Sequence, residues 1–237
     1  MNSTTHALSA QDIDRILSDQ NLVAQYHQYA EHINPGLDAD KRSRAMVMAI
    51  LSANVSFSKA CQAYLLVMAH FPHWESVSQL IGVLMAQSCG SIGVSLKARG
   101  IMQVQYLITH NPGWFFMQNE ETTWDFVKRV EQTIPGLGLC KAMFAVALMM
   151  PFSDICCIDR HILRVLLPTW TNGNGRGVNE LLQKIQFPIS AIRVGLEKVR
   201  ELAYLHHIPV FLVQWIVWDA SRGHVEDHAY ITKGWRQ

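Results

Sequence analysis

Hydrophobic residues recur along this chain at three- and four-residue intervals, the spacing of helices that bury one face. Gly, Pro, Asn and Ser punctuate the pattern at short distances. A first helix is predicted to open at Ser9 or Gln11 and run to about Ile33, where Asn34-Pro35-Gly36 stops it. Helices are predicted next over residues 41–53 and 57–70, with Ser52-Ala53-Asn54-Val55-Ser56 as the break between them. Others follow at about 77–85, 92–109 (after Cys89-Gly90), 124–133 and 137–149, then 160–167, 178–185, 189–206 and 210–221. No segment alternates with a period of two over more than about four residues. The run 152–158 is short and irregular and leads straight into a helix. The expected fold class is therefore all-α. The longest predicted loop, 170–177, carries Gly173, Gly175 and Gly177. No strand precedes it, so it reads as a connector rather than a phosphate loop.

Composition narrows the picture. With 237 residues, 49% of them hydrophobic and 16% charged, the chain can bury one large domain or two small ones sharing a core. No apolar run reaches the ~18 residues that span a bilayer. The first residues are polar and lack a basic stretch followed by an apolar one, so export is not expected. Five cysteines (Cys61, Cys89, Cys140, Cys156, Cys157) show no C-x-x-C spacing. That argues against a disulfide framework and against a cysteine-held zinc or iron–sulfur site. A reducing cytoplasm is the expected location. The net charge of +1 is not that of a protein living on nonspecific phosphate contacts. The chain is uneven, however: about −2 up to Gly136 and about +3 beyond it.

The densest chemistry lies in Ile134-Pro135-Gly136-Leu137-Gly138-Leu139-Cys140-Lys141-Ala142 and, about twenty residues later, Ile158-Asp159-Arg160-His161. Pro135 stiffens the entry to a turn, Gly136 and Gly138 are expected to let the chain reverse sharply, and Leu137 can plug the core from inside. The amides of Gly136 to Leu139 then sit at the start of a helix, where exposed N–H groups and the helix dipole attract an anion. Such a contact positions a DNA strand without reading its sequence. Taken alone, the same turn also suits a plain helical corner. Asp159 follows an apolar run and precedes a helix, as a capping residue does. A cap and a catalytic carboxylate are compatible, because capping holds the side chain still.

These two motifs resemble the helix-hairpin-helix DNA glycosylase superfamily, which includes endonuclease III, adenine glycosylase and 8-oxoguanine glycosylase. Its signature is Leu-Pro-Gly-x-Gly-x-Lys-x-Ala, an apolar helix, then Val-Asp-x-His. Ile50-Leu51-Ser52-Ala53-Asn54 is similar to the family's Leu-Leu-Ser-Ala-Gln, and Ile92-Gly93-Val94 with Lys97-Ala98 to its Ile-Gly-Leu and Lys-Ala. The likeness spans about residues 45–168. It implies two helical domains flanking a cleft for DNA and an extruded base. Residues 41–150 would form a six-helix barrel carrying the hairpin. Residues 1–40 and 151–237 would form a discontinuous second domain bearing Asp159 at the interface. The implied partner is double-stranded DNA containing a damaged or modified base, with no membrane and a monomeric protein. The implied activity is hydrolysis of the N-glycosidic bond, with Asp159 stabilising the positive charge that builds on the deoxyribose.

The family's lyase members carry lysine at the seventh signature position. Cys140 stands there, and Lys141 follows one place later. One helical step rotates a side chain by about 100°. A monofunctional enzyme is therefore expected, with Lys141 touching phosphate or lying in solvent. The alternatives are a bifunctional glycosylase/lyase using Lys141 as the Schiff-base nucleophile, or a non-catalytic DNA-binding protein. Cys140 reads as a small pocket residue. In the C-terminal helix, Gln214 and Trp218 lie four apart and share a face. This is similar to a Gln and Phe pair lining the base pocket of 8-oxoguanine glycosylase. Trp218 would stack on the base and Gln214 bond its edge, with Phe144 nearby. A core helix with a satisfied amide is the other reading. Asn54 is expected to fill the gap left by the flipped base, and Lys59 to reach a phosphate or base. His224 and His228 could ligate zinc only if their segment is helical, and a solvated tail is the expectation. No metal or cofactor is expected beyond at most a monovalent cation at the hairpin.

Overall fold

The computed structural model describes residues 8–53, 55–87, 93–169 and 188–222. They hold eleven α-helices, one short 3-10 turn and no β-strand. The helices are α1 (Ala10–Leu17), α2 (Gln20–His32), α3 (Ala39–Leu51), α4 (Phe57–Met68), α5 (Val77–Ala86), α6 (Val94–His110), α7 (Thr123–Thr133), α8 (Leu139–Met149), α9 (Arg160–Leu166), α10 (Ile189–His206) and α11 (Val210–Arg222). The expected helix at 178–185, the loop at 170–177, Asn54, Cys89-Gly90, Ile92 and the histidines of the tail lie outside the described residues. None of the described helices is long and apolar enough to cross a membrane.

The chain forms two compact units. Among the described residues, one joins those up to Ala30 to those between Phe152 and Arg222, and the other is built from the middle of the chain, Glu31–Pro151. In the middle unit, α3 is apolar all round from Ala45 to Leu51 and loses essentially all solvent contact. Helix α8 is buried almost as completely from Ala142 to Met149. Helices of this kind belong at the centre of a bundle. Helix α3 packs against α8, α6 and α4, and α7 packs against α8. The other unit is assembled around α9, which meets both α10 and α11, while α1 packs on α11.

The first helix is not continuous. Ser18 ends α1, and Asp19 Oδ1 accepts the N–H groups of Asn21 and Leu22 at 3.0 and 3.2 Å. A short acidic side chain that caps the next turn competes with the helix passing through it. The hydrophobic rhythm continues across the break, so nothing in the pattern exposes it. The 3-10 turn Pro112–Phe115 was likewise not expected.

Candidate active site

The hairpin begins where α7 runs out. Leu137 N–H bonds the carbonyl of Ile134 at 3.3 Å. Gly136 takes φ +83°, and a Cβ there would come within 3.2 Å of the Leu96 backbone. Proline second and a left-handed glycine third is the pattern of a type II turn. Leu137 and Leu139 turn their side chains into the core, with 4% and 8% exposed. Gly138 differs from expectation. Its φ is −81° and ψ 171°, extended values any residue adopts, and a Cβ there would meet open space. Its role is not to turn the chain but to begin α8 without a side chain in front of it. It caps the helix with no side-chain hydrogen bond. The first turn of α8 is therefore an open end of a helix dipole.

Lys141 does not extend into solvent. Its Nζ donates to Ser52 Oγ at 3.1 Å and lies 5.1 Å from the centre of the Phe144 ring. Ser52 in turn donates to the Ala49 carbonyl at 2.8 Å, and the buried Lys97 donates to the Leu51 carbonyl at 3.1 Å. Two cations thus hold the C-terminal end of α3, the end of a helix that favours positive charge. The partner of Lys141 in this unit is a helix end, where phosphate or solvent was expected. The Lys97 contact went unnoticed in the sequence, since a buried lysine reads like any charged helical position. Phe144 is buried and Cys140 half-buried, both on α8. Lys59 is exposed in the first turn of α4.

Asp159 belongs to the other unit. Ile155, Cys156, Cys157 and Ile158 are all buried and deliver it to the start of α9. Arg200 holds the beginning of this segment, donating to Asp154 Oδ2 at 2.7 Å and to the Asp154 carbonyl at 3.1 Å. Gly195 lets α10 lie against it: a Cβ there would stand 2.8 Å from Ile158 Cγ2 and 3.0 Å from Leu163 Cδ2. The Asp159 backbone is extended, and its Oδ1 accepts the amides of His161 and Ile162 at 2.8 and 3.0 Å. Its Oδ2 accepts the indole N–H of Trp218 at 3.0 Å. The carboxylate is half-buried and held by three donors, with acceptor capacity to spare.

Helix α11 supplies the rest. Asp219 is buried and accepts the Tyr26 hydroxyl at 2.6 Å. Burial, reinforced by that bond to Asp219, drives the Tyr26 phenol far above its ordinary range. Gln214 is 4% exposed, and its Oε1 has no hydrogen-bond partner among the described residues. One face of the Trp218 ring is covered by the Arg222 guanidinium, 4.2 Å from the ring centre. The structure therefore gathers Asp159, Gln214 and Trp218 in one unit, and Gly136 to Cys140, Lys141, Phe144 and Lys59 in the other.

No family model matches the sequence, and no curated protein matches it. Solved structures do. The 8-oxoguanine DNA glycosylase of Thermotoga maritima superposes with a TM-score of 0.66 at 16% identity, over 92% of this chain and 97% of that one. The 8-oxoguanine DNA glycosylase of Methanocaldococcus jannaschii gives 0.71 at 15% identity, over 90% and 94%. The M. jannaschii 8-oxoguanine glycosylase/lyase bound to a 15mer DNA containing 8-oxoguanine gives 0.69 at 14% identity, over 91% and 99%. The chain has the all-helical fold of these glycosylases, along nearly its whole length.

Proposed function

We propose that this protein is a DNA glycosylase that extrudes a damaged or modified base and hydrolyses its N-glycosidic bond with the help of Asp159. The observation that carries the reading is the Asp159 carboxylate: half-buried, pinned by two backbone amides and an indole N–H, in a fold shared with 8-oxoguanine DNA glycosylases. Breaking the bond leaves positive charge on the sugar, and a carboxylate already fixed in place stabilises that charge without having to reorganise. The uncapped start of α8 at Gly138 supports a role for the hairpin amides as a phosphate anchor. Extrusion costs unstacking energy that contacts to the base must return. The Oε1 of Gln214, unpaired among the described residues, supports a part in reading the base edge, and the glycosylase neighbours favour an oxidised purine such as 8-oxoguanine as the first base to try.

The reaction is read as monofunctional. Lys141 Nζ is engaged by Ser52 Oγ, and water is the expected nucleophile. The glycosylase/lyase among the structural neighbours keeps the Schiff-base route in view. A panel of duplexes, each carrying one modified base, tests both readings when scored for abasic sites and for borohydride-trapped adducts. At least one lesion is expected to be released by the wild type. Asp159→Asn is expected to slow that release by about a thousandfold while folding normally, since asparagine caps a helix as well as aspartate. Undiminished release by Asp159→Asn would remove the proposal. A trapped adduct that disappears in Lys141→Ala would replace the monofunctional reading with the lyase one.

A further inference from the structure

The carboxylate of Asp159 does not rest on its own helix alone. Its Oδ1 is fixed by two amides of α9, and because both bonds fall on that one oxygen, Oδ2 takes no donor from α9. The indole N–H of Trp218, 59 residues away in sequence, supplies the donor to Oδ2 at 3.0 Å. The indole is itself held. Arg222 lies over its ring at 4.2 Å, Ser221 Oγ donates to the Trp218 carbonyl at 2.8 Å, and the next residue, Asp219, receives the buried Tyr26 hydroxyl at 2.6 Å. An indole nitrogen donates and cannot accept. It therefore orients the carboxylate without competing for a proton from the attacking water, and leaves an acceptor site on Oδ2.

We propose that Trp218 is a positioning residue for the reaction assigned above, fixing the bearing of Asp159 Oδ2 through its indole N–H, and is not simply a surface on which a base stacks. The inference rests on the reading of Asp159 as the catalytic carboxylate. Phenylalanine separates the two roles, because it keeps an aromatic ring and loses the donor. Trp218→Phe is expected to lower kcat on the released lesion by about ten- to a hundredfold, the worth of a hydrogen bond to a charged group. KM for the same duplex is expected to stay within about twofold of wild type, as when an interaction serves the transition state. Unchanged kcat, or a raised KM with unchanged kcat, would overturn the proposal in favour of stacking.

A second measurement stands apart from catalysis. The Trp218 indole N–H resonance, assigned through its own backbone among the seven tryptophans, is expected to move upfield in Asp159→Asn. A resonance that does not move overturns the proposal, and this comparison decides alone should Trp218→Phe fail to fold. Failure of the underlying reading looks different: Asp159→Asn would then keep full cleavage, whatever the indole signal does.

Discussion

At the scale of single residues, polar atoms in apolar surroundings separate chemistry from packing. Gln214 is buried, and its Oε1 finds no partner among the described residues. A residue retained only for packing gains nothing from such an atom, because an unpaired buried acceptor costs about 1–3 kcal/mol. Leucine fills nearly the same volume without that cost. Gln214→Leu is therefore expected to leave stability unchanged or raise it, and to cut single-turnover release of the lesion by about ten- to a hundredfold. Urea unfolding and base-release kinetics on the same preparation check both halves. A variant that loses stability and keeps its activity would return Gln214 to the core. Sequence spacing put Gln214 and Trp218 on one face. It could not show that the indole N–H reaches Asp159, because that contact joins helices far apart in the chain.

At the scale of elements, the hairpin shows what a glycine pattern conveys and what it hides. Pro-Gly-apolar-Gly was legible as a turn, but its two glycines do different work. Gly136 stands at φ +83° against the Leu96 backbone, so Gly136→Ala meets both conformational strain, about 1–2 kcal/mol, and a close contact. Gly138 has ordinary angles and open space around its missing Cβ. Gly138→Ala is therefore expected to unfold at the wild-type temperature yet bind a lesion duplex more weakly, by about threefold to tenfold, because its methyl stands before the amides of α8. Gly136→Ala is expected to lower both the melting temperature and the affinity. Fluorescence anisotropy and thermal unfolding distinguish the two, and wild-type affinity in Gly138→Ala would discount the hairpin as an anchor. Most helices were equally legible, since each carries a stripe of apolar residues and a Ser, Thr or Asp at its start. The break at Ser18 and Asp19 was not, because the apolar rhythm runs through it. Nor was the tight seat of α10 at Gly195, where the reason for glycine lies on another helix.

At the scale of the whole molecule, the unit bearing Asp159 is completed by the N-terminal helices, and the bond from Tyr26 to Asp219 closes a separation of 193 residues. Its stability therefore registers the state of groups packed around α9. His161 is one of them. Its backbone N–H donates to Asp159 Oδ1, which caps α9, and its Nδ1 is buried with no hydrogen-bond partner among the described residues. Burial pushes the imidazole below the usual histidine range. Asp159 pulls it back up, and Arg164, Arg222 and Arg160 push it further down. A histidine with a lowered folded pKa binds its proton more readily when the chain is unfolded. Its contribution is thus complete above about pH 6.5, where the unfolded imidazole is neutral, and is lost as the pH falls through the folded value. Stability of the wild type is expected to decline from pH 7 to pH 5, and His161→Gln, which has no titrating ring, is expected to decline less steeply over that interval. Parallel curves from urea titrations at several pH values would mean that His161 charges in the folded protein as easily as in the unfolded one, and that the packing around α9 tolerates a cation beside the Asp159 cap.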